Sequence, residues 1–151
     1  MTQQETTAAA EEEFSLGLAA LAGGDTLTAL AHLERALKLH DYPGWYSCLG
    51  YCVARERGQH RKGVELCLRA LEAEPDQPGH FFNLGRIYLL GGDRTAALRV
   101  LREGMTKGGS PELQRLLESL GSRTLPVFPR LARTHPLNRY LGLLLSRLGL
   151  R

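Results

Sequence analysis

A block of small and large residues recurs along this chain at a fixed distance, and that distance decides what the chain can fold into. Tyr46-x2-Leu49-Gly50-x2-Val53 returns 35 residues later as Phe81-x2-Leu84-Gly85-x2-Tyr88, and a fainter copy, Leu16-Gly17-x2-Ala20, precedes it by 33 residues. Behind each copy stands a second block: Ala29-x3-Leu33-x2-Ala36, then Gly63-x3-Cys67-x2-Ala70, then Ala97-x3-Leu101-x2-Gly104. A period of about 20–50 residues marks a supersecondary unit that cannot bury its apolar face alone and does so by stacking on its neighbours. The two blocks of a copy are its two helices, so the chain is a solenoid of helix pairs and not a fold closed around one pocket.

These blocks resemble the tetratricopeptide repeat family, whose first helix carries large-x2-Leu-Gly-x2-Tyr and whose second carries Ala-x3-Phe-x2-Ala before a proline. The resemblance covers about residues 10–110. It implies an all-α, right-handed superhelical array of three helix pairs, at about 10–42, 43–77 and 78–109, closed by a capping helix at 110–121. Gly50, Gly85, Ala29, Gly63 and Ala97 fall where the two helices of a pair cross, because only a short or missing side chain permits close approach. The chain departs from the pattern in places. Glu13 stands where an aromatic is usual, Leu33, Cys67 and Leu101 replace the Phe of the second helix, and the closing proline is clear only as Pro75. Gly50 to Gly63 also spans one residue more than Gly17 to Ala29, which we assign to an extra turn residue near Arg57-Gly58.

At 151 residues the chain suits one elongated domain that buries its core between neighbouring repeats. Residues 1–9 carry no apolar period and are read as a disordered N-terminus, with Glu11, Glu12 and Glu13 opening the first helix, where carboxylates suit the exposed amides. Gly23-Gly24-Asp25 and Gly91-Gly92-Asp93 each end one helix and cap the next, placing the second helices at about 26–39, 60–73 and 94–107. Ser110-Pro111-Glu112 starts the capping helix, with Leu113, Leu116, Leu117 and Leu120 as its apolar stripe. No basic and apolar leader opens the chain and no apolar run is long enough to span a bilayer, so we expect a cytoplasmic protein.

Residues 122–151 form a basic, proline-containing tail. From 121 to 151 there are six arginines and no acid, whereas residues 1–41 hold seven acids against Arg35 and Lys38. Leu137 to Leu150 reads as a C-terminal amphipathic helix. We expect the tail to pack on the array, or to exchange between two molecules as a homodimer, because its leucine stripe is an aggregation hazard when bare. Attachment to nucleic acid or to an anionic membrane is the weaker reading, since the arginines are scattered without an aromatic platform and the terminal helix carries only Arg139, Arg147 and Arg151 on its polar face. Self-inhibition, with residues 124–131 lying in the groove until a partner displaces them, is a further expectation.

The family resemblance implies that the first helices line a concave groove. Its register assigns to that face Phe14, Leu18 and Leu21, then Ser47, Tyr51 and Arg55, then Phe82, Arg86 and Leu89. Such a groove suits a peptide or protein partner offering apolar side chains and an acidic group, with the two arginines pairing to carboxylate. A subclass of the family grips a terminal carboxylate with Lys, Asn and Arg. The matching places here are Phe14, Leu18, Cys48, Gly79 and Asn83, so that clamp function is rejected.

The three cysteines are read as small core residues. Cys48 and Cys52 share a helix face with Cys67 opposite, yet there is no Cys-x2-Cys, and His60 would have to complete a metal set. His32, His40, His60, His80 and His135 form no metal pair, and the Gly-Gly pairs lack the Lys-Ser/Thr of a phosphate loop. The expectation is a non-catalytic adaptor or assembly factor without a cofactor. The alternative is a self-assembling structural subunit whose groove is filled by its own or a neighbour's tail.

Overall fold

The computed structural model describes residues 2–121, and the expectations for the tail, its amphipathic helix and self-inhibition lie outside them. The chain divides into two units, Met1–Leu117 and Glu118–Arg151, and the first carries the fold described here. Its helices are α1 (Gln3–Ala22), α2 (Thr26–Leu39), α3 (Tyr46–Arg57), α4 (His60–Ala73), α5 (Pro78–Leu90), α6 (Arg94–Thr106) and α7 (Pro111–Gly121), with a short 3-10 turn at Pro43–Trp45 before α3. No strand occurs among the described residues. Each first helix packs on its own second helix (α1 on α2, α3 on α4, α5 on α6); the first pair meets the second through α2 and α3, and α5 packs on both α3 and α4 of the middle pair.

The small residues sit where the pattern requires them. A Cβ on Gly50 would lie 2.7 Å from the Gly63 carbonyl oxygen, and one on Gly63 would lie 2.6 Å from that of Gly50, so α3 and α4 cross backbone to backbone. Ala29 and Ala97 are fully buried at the equivalent crossings, and Leu33, Cys67 and Leu101 fill the slot of the second helix with no exposure. A continuous core runs from Ala29, Leu30 and Leu33 through Tyr51, Cys52 and Val53 to Leu84, Ile87 and Val100. Each large apolar side chain so buried contributes about 1.5–3 kcal/mol of transfer free energy.

Helix ends follow local chemistry. Asp25 accepts from the Thr28 amide and Asp93 from the Ala96 amide, each at 3.0 Å, while Gly24 and Gly92 take the left-handed conformation, φ +80° and +79°, that lets the chain reverse. Ser110 Oγ accepts from the Leu113 amide at 3.2 Å, and Leu113 is fully buried near Gly104.

Three expectations are corrected. The expected disordered N-terminus at 1–9 is helical from Gln3 onward: α1 begins there because Thr2 and Glu5 form a reciprocal capping box in which Thr2 Oγ1 accepts from the Glu5 amide and Glu5 accepts from the Thr2 amide. The acidic run therefore lies in the middle of α1 instead of opening it. Glu13, in the slot of the missing aromatic, reaches α2, where its carboxylate is 2.7 Å from His32 Nδ1 and 3.6 Å from Arg35. The extra residue of the middle repeat is likewise not a turn residue. The α3–α4 link is shorter than its counterparts, Gly58-Gln59 against Gly23-Gly24-Asp25, and α3 is extended through Glu56 and Arg57. Both added residues bind back to α2: Glu56 accepts from the Thr26 hydroxyl and Arg57 pairs with Glu34 at 2.8 Å.

Candidate binding cleft

Where α1, α3 and α5 come together, the first-helix face opens into a cleft of about 400 Å³. Phe14 and Leu18 enter it from α1, Tyr42, Gly44 and Trp45 from the link into α3, and Ser47 and Cys48 from the first turn of α3. Glu74 and Gln77 come from the α4–α5 link, and Gly79, His80 and Asn83 from the start of α5. Phe14 stacks on Trp45 with ring centroids 4.6 Å apart, and Tyr42 meets Trp45 edge-on at 5.5 Å. Leu18 is 42% exposed. Gly44 makes the wall flush: any side chain there would strike Tyr42, whose Cε1 lies 2.4 Å from the Cβ position.

A hydrogen-bonded row lines one side. Tyr42 donates its hydroxyl to Glu74 Oε1 at 2.6 Å, and His80 Nε2 lies 2.7 Å from Glu74 Oε2. His80 Nδ1 lies 2.7 Å from Ser47 Oγ, which also accepts from Asn83 Nδ2 at 3.2 Å. Hydrogen bonds, first from Tyr42 and then from His80, hold the Glu74 carboxyl below the usual carboxylate range, while the same bond pushes Tyr42 up. Ser47, His80 and Glu74 have the connectivity of a nucleophile, base and acid. Ser47 is only 1% exposed and its oxygen is already engaged, so no substrate carbon reaches it.

Two solved structures share this arrangement of helices. The chain is similar to the N-terminal domain of stress-induced protein-1 (STI-1) from C. elegans, at 23% identity over 76% of this chain and 96% of that one, with a TM-score of 0.51. It is also similar to the Sgt2 TPR domain from Aspergillus fumigatus, at 22% identity over 86% of this chain and 93% of that one, with a TM-score of 0.60. The chain has the tetratricopeptide-repeat fold. No family model matches its sequence.

Within this tetratricopeptide-repeat array the nine residues assigned to the groove do not form one surface. Phe14 and Leu18 line the cleft, and Ser47 lies in its wall, buried by its hydrogen bonds. Tyr51 is also buried: the Arg86 guanidinium covers its ring at 3.4 Å and lies 5.0 Å from Phe82. Arg86 is thus a half-buried cation between two rings, its pKa lowered by burial, and no described carboxylate pairs with it. Arg55 is exposed, Leu21 packs on the main core, and Leu89 is half-buried. Phe82 borders a separate shallow depression with Pro78, Ser110 and Glu112.

The places matched to the carboxylate clamp, Phe14, Leu18, Cys48, Gly79 and Asn83, all line the cleft, with none of that clamp's basic side chains. The sequence reading missed Tyr42, Trp45, Glu74 and His80. A signal existed for one of them: Trp45 is the only tryptophan in the chain. Burial pushes all three thiols up, Cys52 to about 12, and no group of His, Cys, Asp and Glu among the described residues is arranged to hold a metal. Nor is any described helix long and apolar enough to cross a membrane.

Proposed function

We propose that this chain is a non-catalytic protein–protein interaction module that holds a peptide segment of a partner against the face formed by α1, α3 and α5. The open cleft with Phe14 and the exposed Leu18 carries this reading, because an apolar side chain of a partner gains there what Leu18 leaves unburied. Arg86 and Arg55, on later turns of α5 and α3, offer donors to an acidic group elsewhere on the same segment. The tetratricopeptide-repeat fold supports such a scaffold but names no partner.

Trp45 is a built-in reporter. Full-length protein titrated with a library of apolar-containing peptides should show saturable changes in tryptophan emission for a subset. Replacing Leu18 by Glu should abolish them while shifting the melting temperature by no more than about 2 °C, since an exposed substitution costs within about 0.5 kcal/mol. Unchanged emission with every peptide would reject the reading. A concentration-dependent dimer in sedimentation would then favour the self-assembling subunit.

A further inference from the structure

The cleft presents a carboxylate and none of the Lys or Arg side chains that would grip one. Among its lining residues the carboxylate is Glu74, and no Lys or Arg enters the lining. Glu74 uses one acceptor site on each oxygen, toward Tyr42 and His80, and its side chain remains 33% exposed. A carboxylate has further lone pairs on both oxygens, so it can accept again from a donor in the cleft. Around it stand the rings of Phe14, Tyr42 and Trp45, and aromatic walls suit the stem and the delocalised charge of a guanidinium or ammonium group.

We infer that the cleft recognises a partner segment by a basic side chain, arginine or lysine, set next to an apolar one, the cation meeting Glu74 and the apolar group meeting Phe14 and Leu18. This deepens the interaction-module reading and rests on it. The placement separates two signs of charge along the first helices. The carboxylate faces the first turns of α3 and α5, whereas Arg86 and Arg55 stand on their later turns. A free C-terminal carboxylate placed in the cleft would meet Glu74 with no Lys or Arg in the lining to offset the repulsion.

The test uses full-length protein and four amidated peptides that share one aromatic and one leucine residue and differ at a single neighbouring position, Arg, Lys, Gln or Glu. A fifth, the Gln peptide with a free carboxylate, stands for a terminal acid. Affinity is read from Trp45 emission at low and at moderate salt. A partly exposed charge pair together with a ring contact predicts that the Arg peptide binds about tenfold more tightly than the Glu peptide, the gap narrowing with salt. Glu74→Gln should reduce that ratio to about twofold, and Tyr42→Phe, which keeps the charge, should retain it. Equal or tighter binding of the Glu peptide or the free carboxylate overturns the inference and leaves the interaction module standing. A ratio that survives Glu74→Gln also overturns it. Binding by none of the five up to millimolar concentration removes both readings together.

Discussion

Glu74 shows how one side chain can belong to stability and recognition at once. It ties the link before α5 to Tyr42 on one side and to His80 on the other, and both bonds favour its ionised form. Its folded pKa therefore lies below the unfolded value of about 4.3. Between those two values the unfolded chain holds the extra proton, so stability rises with pH there. The contribution is complete above about 4.3 and is lost as pH falls through the lower, folded value. Glu74→Gln should accordingly flatten the acid limb of a stability-against-pH curve measured by urea unfolding, with less effect near neutrality on the slope than below pH 4. Residues of this kind were the least legible in the sequence. Phe14 and Leu18 follow from the register of a repeat, but Tyr42, Glu74 and His80 meet across a repeat boundary, and no spacing within one repeat brings them together.

At the scale of the element, the second helices, each preceded by a glycine-containing turn, were readable, and the start of α1 and the end of α3 were not. The α2 and α4 spans agree with expectation at both ends, and α6 ends one residue early, at Thr106. The start of α1 was missed because its signal is a side-chain pair, Thr2 and Glu5, in a polar stretch without apolar period. That pair gives a prediction. Thr2→Ala should raise amide exchange over residues 3–6, a local loss of about 1 kcal/mol, and leave exchange in α2 unchanged, because the lost bonds lie in the first turn alone. The middle link was misread for a similar reason. An added residue in a repeat looks like loop, but here it lengthens α3, and the bonds from Glu56 and Arg57 to Thr26 and Glu34 give the extension a partner on α2.

Taken together, the described helix pairs are held by a core that does not stop at the boundary of a pair. Ile87 is fully buried, and its Cδ1 lies 3.2 Å from where a Cβ of Gly63 would stand, so α5 seals against the middle pair at the point where α3 and α4 cross. Ile87→Ala should cost about 2–5 kcal/mol in denaturant unfolding and should raise exchange in α3 and α4 as well as in α5 and α6. Exchange confined to α5 and α6 would show that the pairs open independently. This level was the most legible of the three. A period repeated in phase fixes which faces are apolar and which residues are small, and stacking follows from both; the partner does not, because the same stack can present any set of side chains on its first helices.

The reciprocal contact of Gly50 and Gly63 limits how the middle repeat can change over generations. Each glycine is needed because of the other's carbonyl oxygen, so a methyl group at either position forces the same separation of α3 from α4. Gly50→Ala alone should cost about 1–3 kcal/mol, and Gly63→Ala about as much, by overpacking. Once the helices have moved apart for one, the second meets less resistance, and the double variant should cost less than the sum in a thermodynamic cycle. The first substitution is therefore the hard one, and descendants of this chain should be found with both glycines or with neither.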